Sequence, residues 1–128
     1  MKLEHVALNV ADPVAMAAWY QQHLGMEVAM RSDGPARAHF LRDSSGSMML
    51  EIYTNPPDEV PAYATMNPLV LHVAFDCENP EEKSKQLVAA GAVFVNEVRP
   101  ADGSHMVMLR DPWGLAIQLC RRATRLLK

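Results

Sequence analysis

The sequence predicts an α+β fold in which two β-α-β-β-β modules form a curled mixed sheet around a central cavity. An internal repeat, a helix start placed alike in both halves, and three strand-like segments after each helix lead to that reading. His5-Val6-Ala7-Leu8-Asn9-Val10-Ala11-Asp12-Pro13 aligns with His72-Val73-Ala74-Phe75-Asp76-Cys77-Glu78-Asn79-Pro80, identical at four of nine positions. The offset is 72 − 5 = 67, and the same offset, 118 − 51 = 67, carries Glu51-Ile52 onto Gln118-Leu119. Two anchors at one spacing mark a duplication.

Residues 3–10 partly alternate apolar and polar side chains, as a strand does. Asp12 suits an N-cap, and Pro13 suits the first helical position, where its missing N–H costs nothing. The helix is expected to run to about His23, to bury positions among Val14, Ala17, Ala18 and Leu24, and to end at Gly25. Strands are expected over 26–31, 36–42 and 47–53, with Asp33-Gly34 and Ser44-Ser45-Gly46 as turns. In the second half Asn79 caps, Pro80 opens, and Glu81 and Glu82 favour the positive end of a helix closed by Gly91. Its strands are expected over 93–99, 105–110 and 115–121. The chain thus reads as one domain, 1–128, with modules 1–54 and 69–122 joined by a proline-rich, stiffened linker over 55–68.

With 49% hydrophobic residues the chain can bury a core without staples. A net charge of −3, from 15 acidic and 12 basic residues, argues against nucleic acid as a partner. The apolar runs are strand-sized, too short to cross a membrane. Met1-Lys2-Leu3-Glu4-His5 lacks the pattern of a secretion signal, and Cys77 and Cys120 read as reduced thiols, so a cytoplasmic location is expected.

The residues at the repeat anchors are His5, Glu51, His72 and Gln118. Imidazole and carboxylate are ordinary metal ligands, and an amide oxygen can join them. A histidine among apolar strand residues is usually a hydrogen-bonded core residue. Two of them recurring at the offset of a strand carboxylate is a different pattern. Glu51 lies in Met48-Met49-Leu50-Glu51-Ile52, where a buried unpaired charge would be costly and a cation would offset it.

The chain resembles the vicinal oxygen chelate superfamily of glyoxalases, bleomycin-resistance proteins and extradiol dioxygenases. The resemblance spans essentially the whole sequence. It is carried by the stretch from His5 to Val10 with Asp12, by Trp19-Tyr20 and Leu24-Gly25-Met26, by Met49-Leu50-Glu51, by Leu71-His72-Val73-Ala74, and by Asp111-Pro112-Trp113-Gly114-Leu115-Ala116-Ile117-Gln118-Leu119. It implies the paired-module fold, metal ligation at His5, Glu51, His72 and Gln118, and a divalent ion such as Zn, Ni, Co, Mn or Fe. It further implies a lyase or isomerase acting on a small oxygen-rich carbonyl compound through an enediolate-type intermediate, and a homodimer. Family glyoxalases usually have a carboxylate where this chain has Gln118, and Asn9 stands where bacterial glyoxalases grip glutathione with an arginine. The alternative is a metal-free module that sequesters a ligand, as bleomycin-binding members do.

Glu51 is the one expected ligand able to double as a base, and His39 or His105 is the candidate for a second. The strand methionines Met30, Met49, Met106 and Met108 are expected as core filler, with Trp19, Tyr20 and Trp113 as packing residues. Cys120, two residues from Gln118, is expected on the same face. His23 is expected as a helix-dipole partner, and the basic tail over 121–128 as a solvated end.

Overall fold

A computed structural model describes residues 1–126; Lys128 of the basic tail lies outside the described residues. The chain divides into two compact units, Met1–Pro61 and Ala62–Lys128.

The first unit contains β1 (His5–Asn9), α1 (Pro13–Leu24), β2 (Glu27–Arg31), β3 (His39–Arg42) and β4 (Met49–Tyr53). Its sheet order is β1-β4-β3-β2. β1 runs parallel to β4, while β2, β3 and β4 form an antiparallel meander. The parallel pair needs a crossover connection, and α1 supplies it. Asp12 accepts the Ala15 N–H at 3.1 Å, Pro13 fills the first turn, and Gly25 at φ 67 closes the helix. The face that α1 buries is Pro13, Met16, Ala17, Trp19 and Tyr20. Of the expected positions Ala17 is buried and Leu24 half-buried, while Val14 and Ala18 are exposed. Positions 13, 16, 17 and 20 form the i, i+3, i+4, i+7 stripe that a helix presents to a core.

β3 begins at His39, later than the expected start at 36. The Arg37 N–H donates to the Gly34 carbonyl at 3.0 Å, so the turn centres on Pro35-Ala36 rather than on Asp33-Gly34. Proline presets φ at the first central position of such a turn. Among the strand methionines, Met108 is buried, but Met30 is 56% exposed and is not core filler.

The second unit contains β5 (Val73–Asp76), α2 (Pro80–Ala89), β6 (Val93–Val98), β7 (His105–Arg110) and β8 (Ala116–Arg121), in sheet order β5-β8-β7-β6. Asn79 caps α2 by accepting the Glu82 N–H at 3.2 Å. β5 starts at Val73, so His72 stands before the strand, and Leu69 and Val70 are exposed rather than strand core. Two short 3-10 helices lie in the proline-rich stretch: Pro57–Glu59 near the end of the first unit and Tyr63–Thr65 near the start of the second. Arg110 holds the second of them by donating to the carbonyls of Tyr63 and Met66, each at 2.7 Å.

Both units are α+β modules of β-α-β-β-β order, the class that the sequence predicts. The register shows how the duplication was kept. Ala7 lies beside Glu51 in β4, and Ala74 lies beside Gln118 in β8, each 67 residues on. Phe40 pairs with Glu51 and Met108 with Gln118, at 108 − 40 = 68. Met30 pairs with Phe40 and Asn96 with Met108, at 96 − 30 = 66. The turns absorb these single-residue drifts, because an uncompensated slip would turn a strand's apolar set toward solvent.

Candidate functional site

In the first unit Leu50 and Ile52 are buried, and β alternation turns Glu51 between them to the opposite sheet face. Phe40 pairs with Glu51 from β3, and Ala7 lies beside it in β1. His5, two residues before Ala7, shares that face. The structure brings the two candidate ligands together, with His5 Nε2 3.4 Å from Glu51 Oε2. The Glu51 side chain is 21% exposed, so the carboxylate is half-buried. The other ring nitrogen of His5, Nδ1, is hydrogen-bonded to Glu4 Oε2, and the ring packs edge-on against Phe40 at 5.5 Å. Glu51 also lines an open depression of about 360 Å³ with Ala36, Ala38, Tyr53 and Asn55. Asn9 takes no place in its wall: its amide donates to the Pro56 carbonyl at 2.7 Å and accepts the Asn55 N–H at 2.8 Å. This clip shapes the loop after β4.

In the second unit His72 is half-buried, and its Nδ1 lies 2.8 Å from the Pro68 carbonyl oxygen. Gln118 is flanked by buried Ile117 and Leu119 and faces the other side. Its Oε1 accepts the Cys120 thiol at 3.0 Å, so Cys120 shares its face as expected. Burial pushes the Cys120 thiol above its usual range. It is therefore protonated at neutral pH and poorly nucleophilic. Thiol-reactive reagent is expected to label Cys120 far more slowly in native protein than in urea-unfolded protein. Equal rates, read by mass spectrometry, would contradict the buried hydrogen-bonded thiol.

His39 and His105 do not serve as second bases within their units. His39 pairs with Ile52, on the face away from Glu51, and its Nδ1 is 2.8 Å from the Arg37 carbonyl. His105 pairs with Arg121 and contacts Glu97 at 2.9 Å, away from the Gln118 face. Both are buried. Period-two alternation accounts for the correction.

The four candidate positions fall two to each unit. Among the described residues, no group of three or more His, Cys, Asp or Glu side chains is arranged to hold a metal ion. The first-unit pair nonetheless has the donor chemistry for one. A histidine with Nδ1 hydrogen-bonded to an oxygen acceptor is fixed as the Nδ1–H tautomer in its neutral form, leaving a lone pair on Nε2. In that form of His5 the Nε2 lone pair would meet a carboxylate oxygen 3.4 Å away, and two acceptors so placed call for a proton or a cation between them. Two ligand atoms about 2.1 Å from one ion at a tetrahedral angle would be separated by this distance. His72 has the same Nδ1 engagement.

The paired modules define the class. The chain matches the glyoxalase/bleomycin resistance protein/dioxygenase superfamily over residues 2–119, and it belongs to that superfamily. Among solved structures it is similar to the glyoxalase family protein from Enterococcus faecalis, at 29% identity and a TM-score of 0.72, covering 94% of this chain and 97% of that one. It shares its fold with the lactoylglutathione lyase of Agrobacterium tumefaciens, at 22% identity, TM-score 0.66 and coverage of 92% and 91%. It also shares its fold with TnmS3, an antibiotic binding protein from Streptomyces sp. CB03234, at 15% identity, TM-score 0.72 and coverage of 93% of each chain. No curated protein matches the sequence. Among the described residues, no helix is long and apolar enough to cross a membrane.

Sequence reasoning missed Glu4, Tyr53 and Phe40. Tyr53 was findable, since it lies two residues from Glu51 and alternation places it on the same face. Phe40 and Glu4 were not, because strand register and ring direction depend on residues distant in the chain.

Proposed function

We propose that this chain is a divalent-metal-dependent lyase or isomerase of its superfamily, acting on a small oxygen-rich carbonyl compound, with His5, Glu51, His72 and Gln118 as ligands. The observation that carries the reading is the approach of His5 Nε2 to the Glu51 carboxylate at 3.4 Å. A bound divalent ion supplies Lewis acidity toward neighbouring oxygens of the substrate. Glu51 lines the depression and is the base that removes a proton from the carbon beside the substrate carbonyl. Tyr53 and Asn55 border the same space and orient the substrate's oxygens. Gln118 cannot take a proton at neutral pH, so the four positions offer one base. We place the protein in the cytoplasm as a homodimer; two free thiols suit a reducing compartment.

A second reading, a metal-free module that sequesters a ligand, is favoured by the engagement of Gln118 with the Cys120 thiol. In that reading a proton on His5 bridges it to Glu51. Metal analysis of protein purified without chelator separates the two. The enzyme reading expects about one divalent ion per chain, lost on His5→Ala and on His72→Ala. Absence of stoichiometric metal in the unaltered chain, after reconstitution with zinc, cobalt and nickel, would leave the binding module.

A further inference from the structure

We propose that Glu4 is a positioning residue that holds His5 as its Nδ1–H tautomer, so that the Nε2 lone pair is presented to a divalent cation. The inference rests on the metal reading above. Glu4 Oε2 accepts from His5 Nδ1. The Glu4 backbone carbonyl accepts the Met49 N–H at 3.0 Å, so Glu4 is anchored to β4 at the edge of the sheet. Phe40 packs against the same imidazole at an interplanar angle of 83°, which opposes a ring flip.

The alternative tautomer shows what Glu4 accomplishes. With the proton on Nε2, His5 would donate directly to Glu51 Oε2, and the pair would satisfy itself and exclude a cation. With the proton held at Nδ1, neither Nε2 nor Oε2 carries a donor, and the space between them attracts positive charge. A carboxylate on the far nitrogen also raises the basicity of the ligating one. The second unit uses a weaker device, since His72 Nδ1 meets the neutral Pro68 carbonyl at 2.8 Å. The repeat therefore places an oxygen acceptor at Nδ1 of both histidines, a carboxylate at His5 and a backbone carbonyl at His72.

The test compares the unaltered chain with Glu4→Ala and Glu4→Gln. The Glu4 side chain is 69% exposed, so neither variant is expected to unfold. Long-range ¹H–¹⁵N NMR of the metal-free proteins reads the His5 tautomer, and cobalt(II) titration followed by visible absorption reads affinity. Glu4→Ala is expected to mix the tautomers and to weaken cobalt binding by about tenfold. Glu4→Gln keeps an acceptor oxygen and is expected to retain the Nδ1–H form and recover most of the affinity. Glu4→Ala indistinguishable from the unaltered chain in both readouts overturns the Glu4 inference and leaves the metal reading standing. No cobalt binding by the unaltered chain overturns the metal reading, and the inference with it.

Discussion

Glu51→Gln is expected to weaken divalent-cation binding by at least about a hundredfold, and Gln118→Glu to strengthen it. The argument is one of charge. With the proposed set of two neutral imidazoles, one amide and one carboxylate, a divalent ion would keep a formal charge of about +1. Glu51→Gln removes the single anionic ligand, and a unit charge beside a divalent ion is worth several kcal/mol even when screened. Each 1.4 kcal/mol is about a factor of ten in affinity. Gln118→Glu neutralises the set instead. The Cys120 thiol can donate to the new carboxylate as it donates to the amide, so the substitution leaves no hydrogen-bond donor stranded. Calorimetric titration with cobalt or zinc checks both variants. Unchanged affinity in Gln118→Glu would remove Gln118 from the ligand set, and unchanged affinity in Glu51→Gln would remove the charge argument altogether.

Gly114→Ala is expected to destabilise the second unit by about 3 kcal/mol or more, from two independent causes. Gly114 has φ +89, where an L side chain is strained, and a Cβ there would lie 2.7 Å from the Cα, Cβ and backbone N of Ala64. Those atoms belong to the 3-10 helix Tyr63–Thr65, which Arg110 clamps through the neighbouring carbonyls, so they cannot easily retreat. Asp111 ties the same turn by accepting the N–H groups of Trp113 and Leu115, each at 2.9 Å. Gly25 is the control: its φ is +67, but no atom lies within 4 Å of a Cβ there. Gly25→Ala should therefore cost only the left-handed strain, about 1 kcal/mol. Urea unfolding followed by circular dichroism distinguishes them. Equal losses in the two variants would mean that the close approach of the turn to Ala64 contributes nothing.

Much of each module was legible because its signals are local. Asp12-Pro13 and Asn79-Pro80 mark helix starts by capping chemistry, and both helices begin there. Glu51 and Gln118 each sit between buried neighbours, so alternation alone sets them on the face opposite those neighbours. The buried face of α1 was legible only in part, since Met16, Trp19 and Tyr20 outweigh the smaller alanines once a sheet is present to cover them. The candidate second bases failed for a related reason. His39 and His105 are the residue type that catalysis uses, but residue type does not say which way a strand faces.

The sequence by itself determined the duplication and the order of elements in each module, and it offered four residues as candidates for a cation. These follow from short-range physics: caps, turn residues, alternation and one repeat spacing. The tertiary structure decided that His5 meets Glu51 at 3.4 Å, that Glu4 and Pro68 engage the outer nitrogens of the two histidines, and that the turn before β3 centres on Pro35-Ala36. Those outcomes depend on strand register and on partners far apart in the chain, and no local pattern of residues encodes the direction in which an imidazole ring points.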